Sequence, residues 1–492
     1  MHSLWLRSCV LLAVLSTIAV ADAEKHADTH PPTGLTLSSE AGAKLYQASV
    51  PGPLLDFAAP RADSGRRELY LLAAPEGAEA ESRTLYRIDF AGQRLITVAE
   101  GLDHSIERLA AVDLDRDGNE ELLVGAPGRL FHAHQVNGSE TFKLTALANG
   151  AGVGLASVLP TRDGPTPPGQ LTIAAVGKLL TLAPKPGGWG VTAQLALPRR
   201  ATRHRGGVRL TTPATTLLAL GEERRFAIGP EPIGHRRLRS LLLPADGGEA
   251  SEVWSRLPGA EQIQHSWFAV IDGRPVLIVT TNSADKLGVF ERQSLRLFSL
   301  YADRTQSGVA PWLAAQTTSR RWQHVEPFVS DLDADGDDDL VVLQLDGLGS
   351  GKVKAEAFIN SGRRSFEART RSSLIEQPPG GWQFGTDFTG DGLGDLVLHT
   401  AGRLEIYPTL PGNSRKLLAK RPLWSFSGDD IPRGEHSVSI GTGGVATSDE
   451  PPDALGGPIP LDLDGDGRPE LLLAENPQWG FGRLRVIFLP PI

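Results

Sequence analysis

Asp331-Leu-Asp-Ala-Asp-Gly-Asp-Asp-Asp-Leu340 carries carboxylates at its first, third, fifth and ninth residues and glycine at its sixth, then runs straight into the apolar stretch Leu340-Val-Val-Leu343. Glycine at that point permits a left-handed turn, which brings the ninth residue back towards the first. The local reading is an acidic turn feeding a buried strand. The pattern recurs at Asp113-Leu-Asp-Arg-Asp-Gly-Asn-Glu-Glu-Leu122, Asp387-Phe-Thr-Gly-Asp-Gly-Leu-Gly-Asp-Leu396 and Asp462-Leu-Asp-Gly-Asp-Gly-Arg-Pro-Glu-Leu471. Each copy continues into an apolar run of its own.

A second signature follows at Gly128-Arg-Leu130, Gly177-Lys-Leu179, Gly402-Arg-Leu404 and Gly482-Arg-Leu484; the step from Asp113 to Gly128 equals that from Asp387 to Gly402, 15 positions. The Gly177 copy exposes a degenerate repeat, Thr161 to Leu171, whose loop has lost its acids. Weaker copies lie at Asp56 to Leu72, Leu217 to Ile228 and Phe268 to Val279. Anchors at positions 56, 113, 272, 331, 387 and 462 give spacings of 57, 59, 56 and a longer 75, which leaves room for an insertion around 425–452. A period of roughly 55 belongs to solenoids and propellers. Each unit reads as strand, acidic turn, strand, glycine turn, strand and a variable fourth strand, and radial repetition of such units hides their edges. The fold class is therefore all-β: a seven- or eight-bladed β-propeller of four-stranded blades in one domain, 34–492. Its last blade lacks a strand, which the segment Leu35 to Val50 is predicted to supply, closing the ring.

The chain has 492 residues, 58 Asp and Glu against 49 Lys and Arg, and a formal charge of −9. That balance argues against nucleic acid as a partner. Met1 and Cys9, the only residues of their kinds, both fall in 1–23. With Arg7 ahead of an apolar run and Ala21-Asp22-Ala23 behind it, this stretch reads as a signal peptide. The expectation is an exported protein, periplasmic or extracellular, with a flexible mature N-terminus at 24–33, no membrane span and a monomeric state. A mature chain without cysteine has no disulfide, so its stability outside the cytoplasm rests on packing or on a hard cation.

Oxygen donors on alternate residues of a tight loop suit a cation such as calcium, which takes 6 to 8 oxygens. An EF-hand would need Glu at position 12, where Val124, Val342, Leu398 and Leu473 stand. The candidate side-chain ligands are Asp113, Asp115, Asp117 and Glu121; Asp331, Asp333, Asp335 and Asp339; Asp387, Thr389, Asp391 and Asp395; and Asp462, Asp464, Asp466 and Glu470. Position 7 offers a backbone carbonyl, at Asn119, Asp337, Leu393 and Arg468. Up to four calcium ions are expected, the one at Asp387 held most weakly because Thr389 replaces a carboxylate. Removing these fifteen carboxylates from the formal charge of −9 leaves +6. The acidity is thus concentrated in four loops, and an acidic polysaccharide becomes admissible as a ligand.

These loops, together with Leu122-Leu-Val-Gly-Ala-Pro-Gly128, resemble the FG-GAP/VCBS repeat family, related to the calcium-binding blades of integrin alpha-subunit propellers. The resemblance implies a seven- or eight-bladed propeller with calcium in its hairpin loops. The family includes adhesion modules, lectins and some polysaccharide lyases, and a fold does not choose among them. The expected function is binding or scaffolding of a protein or glycan at one ring face, with structural calcium and no catalytic residues. The alternative is a carbohydrate-active enzyme such as a calcium-dependent polysaccharide lyase.

Other constellations are set aside. Gly347-Leu-Gly-Ser-Gly-Lys352 is one residue short of a phosphate loop and reads as a turn. His132 and His134 share a strand face, but no third zinc ligand is visible nearby. Trp267, Trp322 and Trp382 precede first-strand anchors and suit the core better than a sugar-stacking rim.

Overall fold

The computed structural model describes residues 33–40, 42–62, 65–74, 82–114, 117–136, 139–149, 157–158, 171–175, 178–185, 188–196, 217–218, 223–230, 237–244, 251–256, 262–271, 274–284, 290–299, 312–320, 324–345, 353–360, 366–375, 381–400, 403–412, 414–427, 438–441, 444–447, 459–475 and 481–490. The proposed signal peptide, Asp115, Trp322 and the 347–352 turn lie outside them. Among the described residues every regular element but isolated bridges is a strand.

The chain opens with β1 (Gly34–Glu40) and β2 (Ala43–Pro51). Sheet I is β3 (Leu54–Ala58), β4 (Tyr70–Ala73), β5 (Ser82–Asp89) and β6 (Arg94–Asp103). Sheet II is β7 (Arg108–Val112), β8 (Glu121–Ala126), β9 (Arg129–Gln135) and β10 (Phe142–Asn149). Sheets III and IV are β11 (Ser157–Val158), β12 (Leu171–Ala175), β13 (Lys178–Lys185) and β14 (Gly188–Ala196), then β15 (Leu217–Leu218), β16 (Glu223–Pro230), β17 (Arg237–Pro244) and β18 (Ser251–Arg256). Sheet V is β19 (Gln262–Ile271), β20 (Arg274–Ala284), β21 (Phe290–Ser299) and β22 (Trp312–Arg320). Sheet VI is β23 (His324–Ser330), β24 (Asp339–Leu345), β25 (Val353–Asn360) and β26 (Phe366–Ile375), and sheet VII is β27 (Gly381–Thr386), β28 (Asp395–Thr400), β29 (Arg403–Tyr407) and β30 (Trp424–Ser427). Inside the anticipated insertion, β31 (Val438–Gly441) and β32 (Gly444–Thr447) pair only with each other. Sheet VIII is β33 (Ile459–Leu461), β34 (Glu470–Glu475) and β35 (Phe481–Phe488), extended by β2 and then β1.

All pairings are antiparallel and each four-stranded sheet follows chain order, so the acidic turn between strands one and two lies at the opposite sheet end from the turn between two and three. Five of the sheets stack face to face. Leu71 and Val486 share one core cluster, Leu72 and Val124 a second, Val341 and Leu398 a third, and Val397 and Leu471 a fourth, which packs sheets VI, VII, VIII, I and II in succession. A second strand is thus covered on both faces. That is why Leu340, Val341, Val342 and Leu343 form an unbroken apolar run, each at 0% exposure, instead of alternating with polar residues.

Strand β2 pairs with β35 from Lys44 opposite Phe488 to Pro51 opposite Phe481. The N-terminal segment contributes two strands where the sequence suggests one, because Gly42, at φ 83°, turns the chain between them. Gly482, at the start of β35, faces the Leu54 backbone so closely that a Cβ would lie 2.4 Å from its nitrogen. The glycine of the Gly-Arg-Leu signature therefore has a packing cause in sheet VIII. The weak copy anchored at Asp56 needs correction. Asp56 lies in β3, where it accepts hydrogen bonds from the Phe57 and Leu109 N–H groups, and burial pushes its pKa up to about 6. The true loop equivalent is Pro60-Arg-Ala-Asp-Ser-Gly-Arg-Arg-Glu-Leu69, with Gly65 at φ 77° standing where Gly118 stands at 93°. It keeps the glycine, the ninth-position Glu68 and the following leucine, but has lost every acid at positions 1, 3 and 5.

Candidate metal centre

The four acidic loops share one hydrogen-bond plan. The first-position carboxylate caps the turn: Asp331 accepts from the Ala334 and Gly336 N–H groups at 2.8 and 3.1 Å, and Asp462 from Gly465 and Gly467 at 2.8 and 3.1 Å. Asp387 accepts from Gly390 and Gly392 at 2.6 and 2.8 Å, and Asp113 from Gly118 at 3.2 Å. The fifth-position acids Asp117, Asp335, Asp391 and Asp466 each accept from the N–H of position 7 at 2.7 to 2.9 Å. The ninth-position acids reach back to the N–H of position 2: Glu121 to Leu114, Asp339 to Leu332, Asp395 to Phe388 and Glu470 to Leu463, at 2.6 to 2.9 Å. Asp339 and Asp395 also accept from Asn360 and Thr409, at the far end of the third strand.

This plan brings positions 1, 3 and 9 together in two loops. Carboxylate oxygens of Asp331, Asp333 and Asp339 lie within 4.8 Å of one another, as do those of Asp462, Asp464 and Glu470. Asp335 and Asp466 lie outside these groups, each turned to its own backbone, and Asp466 also meets the Arg468 guanidinium at 3.1 Å. In the third loop the Thr389 hydroxyl donates to Asp387 at 3.2 Å, and no close group of three acids forms. The Leu393 side chain is buried, so that residue can offer only its carbonyl, and the Asn119 side chain donates to Asp117.

Burial decides the electrostatics. Asp339 and Asp395 are wholly inaccessible and Glu470 nearly so. Removal from water pushes their pKa values up to about 7, 6 and 7, against the N–H bonds that favour the charged form. Asp333 is raised as well, by burial and then by the charges of Asp335 and Asp331. Among the described residues no Lys or Arg pairs with Asp331, Asp333, Asp339, Asp462, Asp464 or Glu470. Three converging carboxylates with hard oxygen donors, and no Lys or Arg partner among the described residues, fit a calcium-sized ion.

Ala334, at φ 59°, occupies a left-handed position that glycine fills in the third and fourth loops, as Gly390 and Gly465. Ala334→Gly is expected to stabilise the protein by up to about 1 kcal/mol, relief of left-handed strain offset in part by unfolded-state entropy. Urea denaturation measures it, and a loss would contradict the strain.

The loop of sheet I, which lacks acids at positions 1, 3 and 5, has a different solution that its sequence did not disclose. Arg67 Nη1 donates to Glu120 at 2.7 Å and to the Ala59 carbonyl at 2.8 Å, while its backbone N–H donates to the Leu463 carbonyl at 2.8 Å. The Arg61 N–H also donates to Glu120. One arginine loop thus fastens the acidic loop of sheet VIII to that of sheet II. The signal was the Arg66-Arg67 pair at positions 7 and 8 of the degenerate copy. With Arg67 and Glu120 side chains 17% and 26% exposed, Arg67→Ala is expected to cost about 1–3 kcal/mol. A double-mutant cycle with Glu120→Ala should show coupling above about 0.5 kcal/mol, and additivity would contradict the clasp.

The remaining candidates stay structural. The His132 and His134 rings lie 5.5 Å apart with no third ligand group among the described residues. Trp382 is partly buried against the core shared by sheets VI and VII. A cavity of about 200 Å³ beside the sheet VIII loop, lined by Lys44, Phe388 and Asp464, is below the usual small-molecule size of roughly 300 Å³ and above.

No protein-family model matches the chain, and no curated protein matches it in sequence. Solved structures that resemble it include the Dos1 propeller (9% identity, 91% of this chain and 94% of that one, TM-score 0.43). An Agrocybe aegerita lectin that recognises non-reducing terminal N-acetylglucosamine matches at 13% identity over 80% and 92% of the two chains, TM-score 0.37. The Pseudomonas aeruginosa periplasmic gluconolactonase PpgL matches at 12% over 74% and 97%, TM-score 0.30.

Proposed function

We propose that the eight sheets form an eight-bladed β-propeller closed by β2 on β35, and that the acidic loops hold structural calcium. The protein then serves as an exported binding or scaffold module of the kind the FG-GAP/VCBS resemblance implies. The observation that carries this reading is the convergence of positions 1, 3 and 9 on one point in two loops, around a buried ninth-position acid that no Lys or Arg among the described residues pairs with. First strands that neighbour one another from sheet to sheet, β3 by β7, β7 by β11, β19 by β23 and β23 by β27, support the radial arrangement.

A lyase would need a base, and two described tyrosines beside charged partners do not supply one. The Tyr407 hydroxyl donates to Glu405, and burial with that carboxylate pushes its pKa up to about 12; Tyr70, beside Glu68, is likewise pushed up. Neither phenol is poised to act as a base near neutral pH. Calorimetric titration of calcium into metal-stripped protein tests the metal reading, with up to four sites expected, and absence of heat would end it. Unsaturated product from a uronate polymer, followed by absorbance, would overturn the non-catalytic role.

A further inference from the structure

Sheet VIII has a strand to spare. Counted outward from β33, β2 stands fourth, the place at which β6, β10, β14, β18, β22, β26 and β30 end the other sheets, and β1 stands fifth. The inner edge of β1 pairs with β2, and among the described residues no strand pairs with its outer edge. That edge presents a row of backbone donors and acceptors one strand spacing, about 4.8 Å, beyond the fourth strand.

Exposed edges are ordinarily guarded by charge or proline. Five fourth strands carry a Lys or Arg: Arg94 in β6, Lys143 in β10, Arg256 in β18, Arg320 in β22 and Arg369 in β26. The sequence of β1, Gly-Leu-Thr-Leu-Ser-Ser-Glu, has no Lys, Arg or Pro. Strands β14 and β30 lack them too, but they end in the place where β2 is covered by β1. At mid-strand Leu37 is 40% exposed, one of three exposed large apolar side chains among the described residues. Two residues earlier, on the same strand face, Leu35 packs against the core shared by sheets VIII and I, so Leu37 lies at the open margin of that core.

We infer that the outer edge of β1 pairs with the same edge of a second copy of this chain, antiparallel about a two-fold axis through Leu37. That register sets Leu37 opposite its own counterpart, Thr36 opposite Ser38, Leu35 opposite Ser39 and Gly34 opposite Glu40. The exposed leucines cover each other, Thr meets Ser in a pair suited to cross-strand hydrogen bonding, and the only charged residue of the strand faces glycine. A second copy is the partner this edge fits, because the strand read against itself brings no like charges together. The inference replaces the monomer expected from the sequence, where one N-terminal strand was anticipated instead of two. It uses the propeller reading only to place β1 on a convex rim, where neighbouring sheets recede from a second disc.

Sedimentation of the full chain in calcium, over a wide range of concentration, is the test. The expected result is a reversible monomer–dimer equilibrium whose dissociation constant rises about tenfold or more in Leu37→Lys, where like charges face each other across the axis. Leu37→Glu should weaken the dimer in the same way, and an equimolar mixture of the two variants should recover it, because lysine then meets glutamate. Should Leu37→Lys melt early, Thr36→Lys combined with Ser38→Lys, at two exposed positions, sets lysines opposite one another in the same register. A protein monomeric at every concentration, a dimer unmoved by the folded variants, or no recovery in the mixture would overturn the inference. Electron micrographs separate it from the propeller reading: single discs defeat this inference alone, and no disc defeats both.

Discussion

Calcium added to metal-stripped protein is expected to raise its unfolding free energy by about 6 to 11 kcal/mol. The figure follows from four loops, each contributing about 1.4 to 2.7 kcal/mol when free calcium is roughly 10 to 100 times the dissociation constant. Burial of Asp339, Asp395 and Glu470, with no Lys or Arg paired to them among the described residues, sets the direction. The same groups give the response a pH signature. Their folded pKa values, about 7, 6 and 7, stand above the ordinary side-chain values of 3.8, 3.8 and 4.5. Between those limits the folded state holds more protons than the unfolded one, so without metal stability falls as pH rises from about 4 to 7. Bound calcium keeps the carboxylates ionised and reverses that slope. Denaturation in chelator and in calcium, at about pH 5 and about pH 7.5, measures both effects. Equal stability with and without calcium, or parallel pH slopes, would refute the metal reading.

Loss of the Asp395 carboxylate is expected to be the most damaging single change among the loops. Its two oxygens accept from the Phe388, Thr389 and Thr409 N–H groups, at 2.9, 3.0 and 3.1 Å, in a fully buried position. Asp395→Ala leaves those donors without an acceptor, at about 3 to 5 kcal/mol, seen as a lower urea midpoint with unchanged slope. Asp395→Asn keeps one acceptor and mimics the protonated acid. In chelator it should lose only about 1 kcal/mol, while the calcium increment from this loop disappears. An alanine variant within experimental error of wild type would deny the brace. An asparagine variant with the full calcium response would deny the metal role.

Much of this was legible because the loops are local. The spacing of Asp331, Asp333, Gly336 and Asp339 fixes a turn whose internal hydrogen bonds all lie within nine residues, and the apolar run after each loop follows from a strand covered on both faces. The succession of four-stranded sheets was legible through the repeat period alone. What escaped was long-range. Asp56 looked like a loop anchor because it is acidic and correctly spaced, but the chain places it in β3 bonded to a neighbouring sheet, four residues before the true loop start at Pro60. The role of Arg67 was hidden because Glu120 and Leu463 lie in other repeats, and a degenerate copy reads as loss until its partners are known.

The pairing of β2 with β35 has a consequence for how the molecule comes into being. Gln47 and the almost wholly buried Arg485 meet across 438 residues of chain, near the largest separation the sequence allows. The β1–β2 hairpin can form locally, but the other edge of β2 has no partner until β35 has followed. For that interval this edge is open to pairing with strands of other molecules. Assembly of this sheet therefore waits for β35, slow by the entropy of so long a closure and sensitive to protein concentration. Truncation within β35 would strand the N-terminal hairpin, and such chains should accumulate as intermolecular pairs or be cleared by proteolysis.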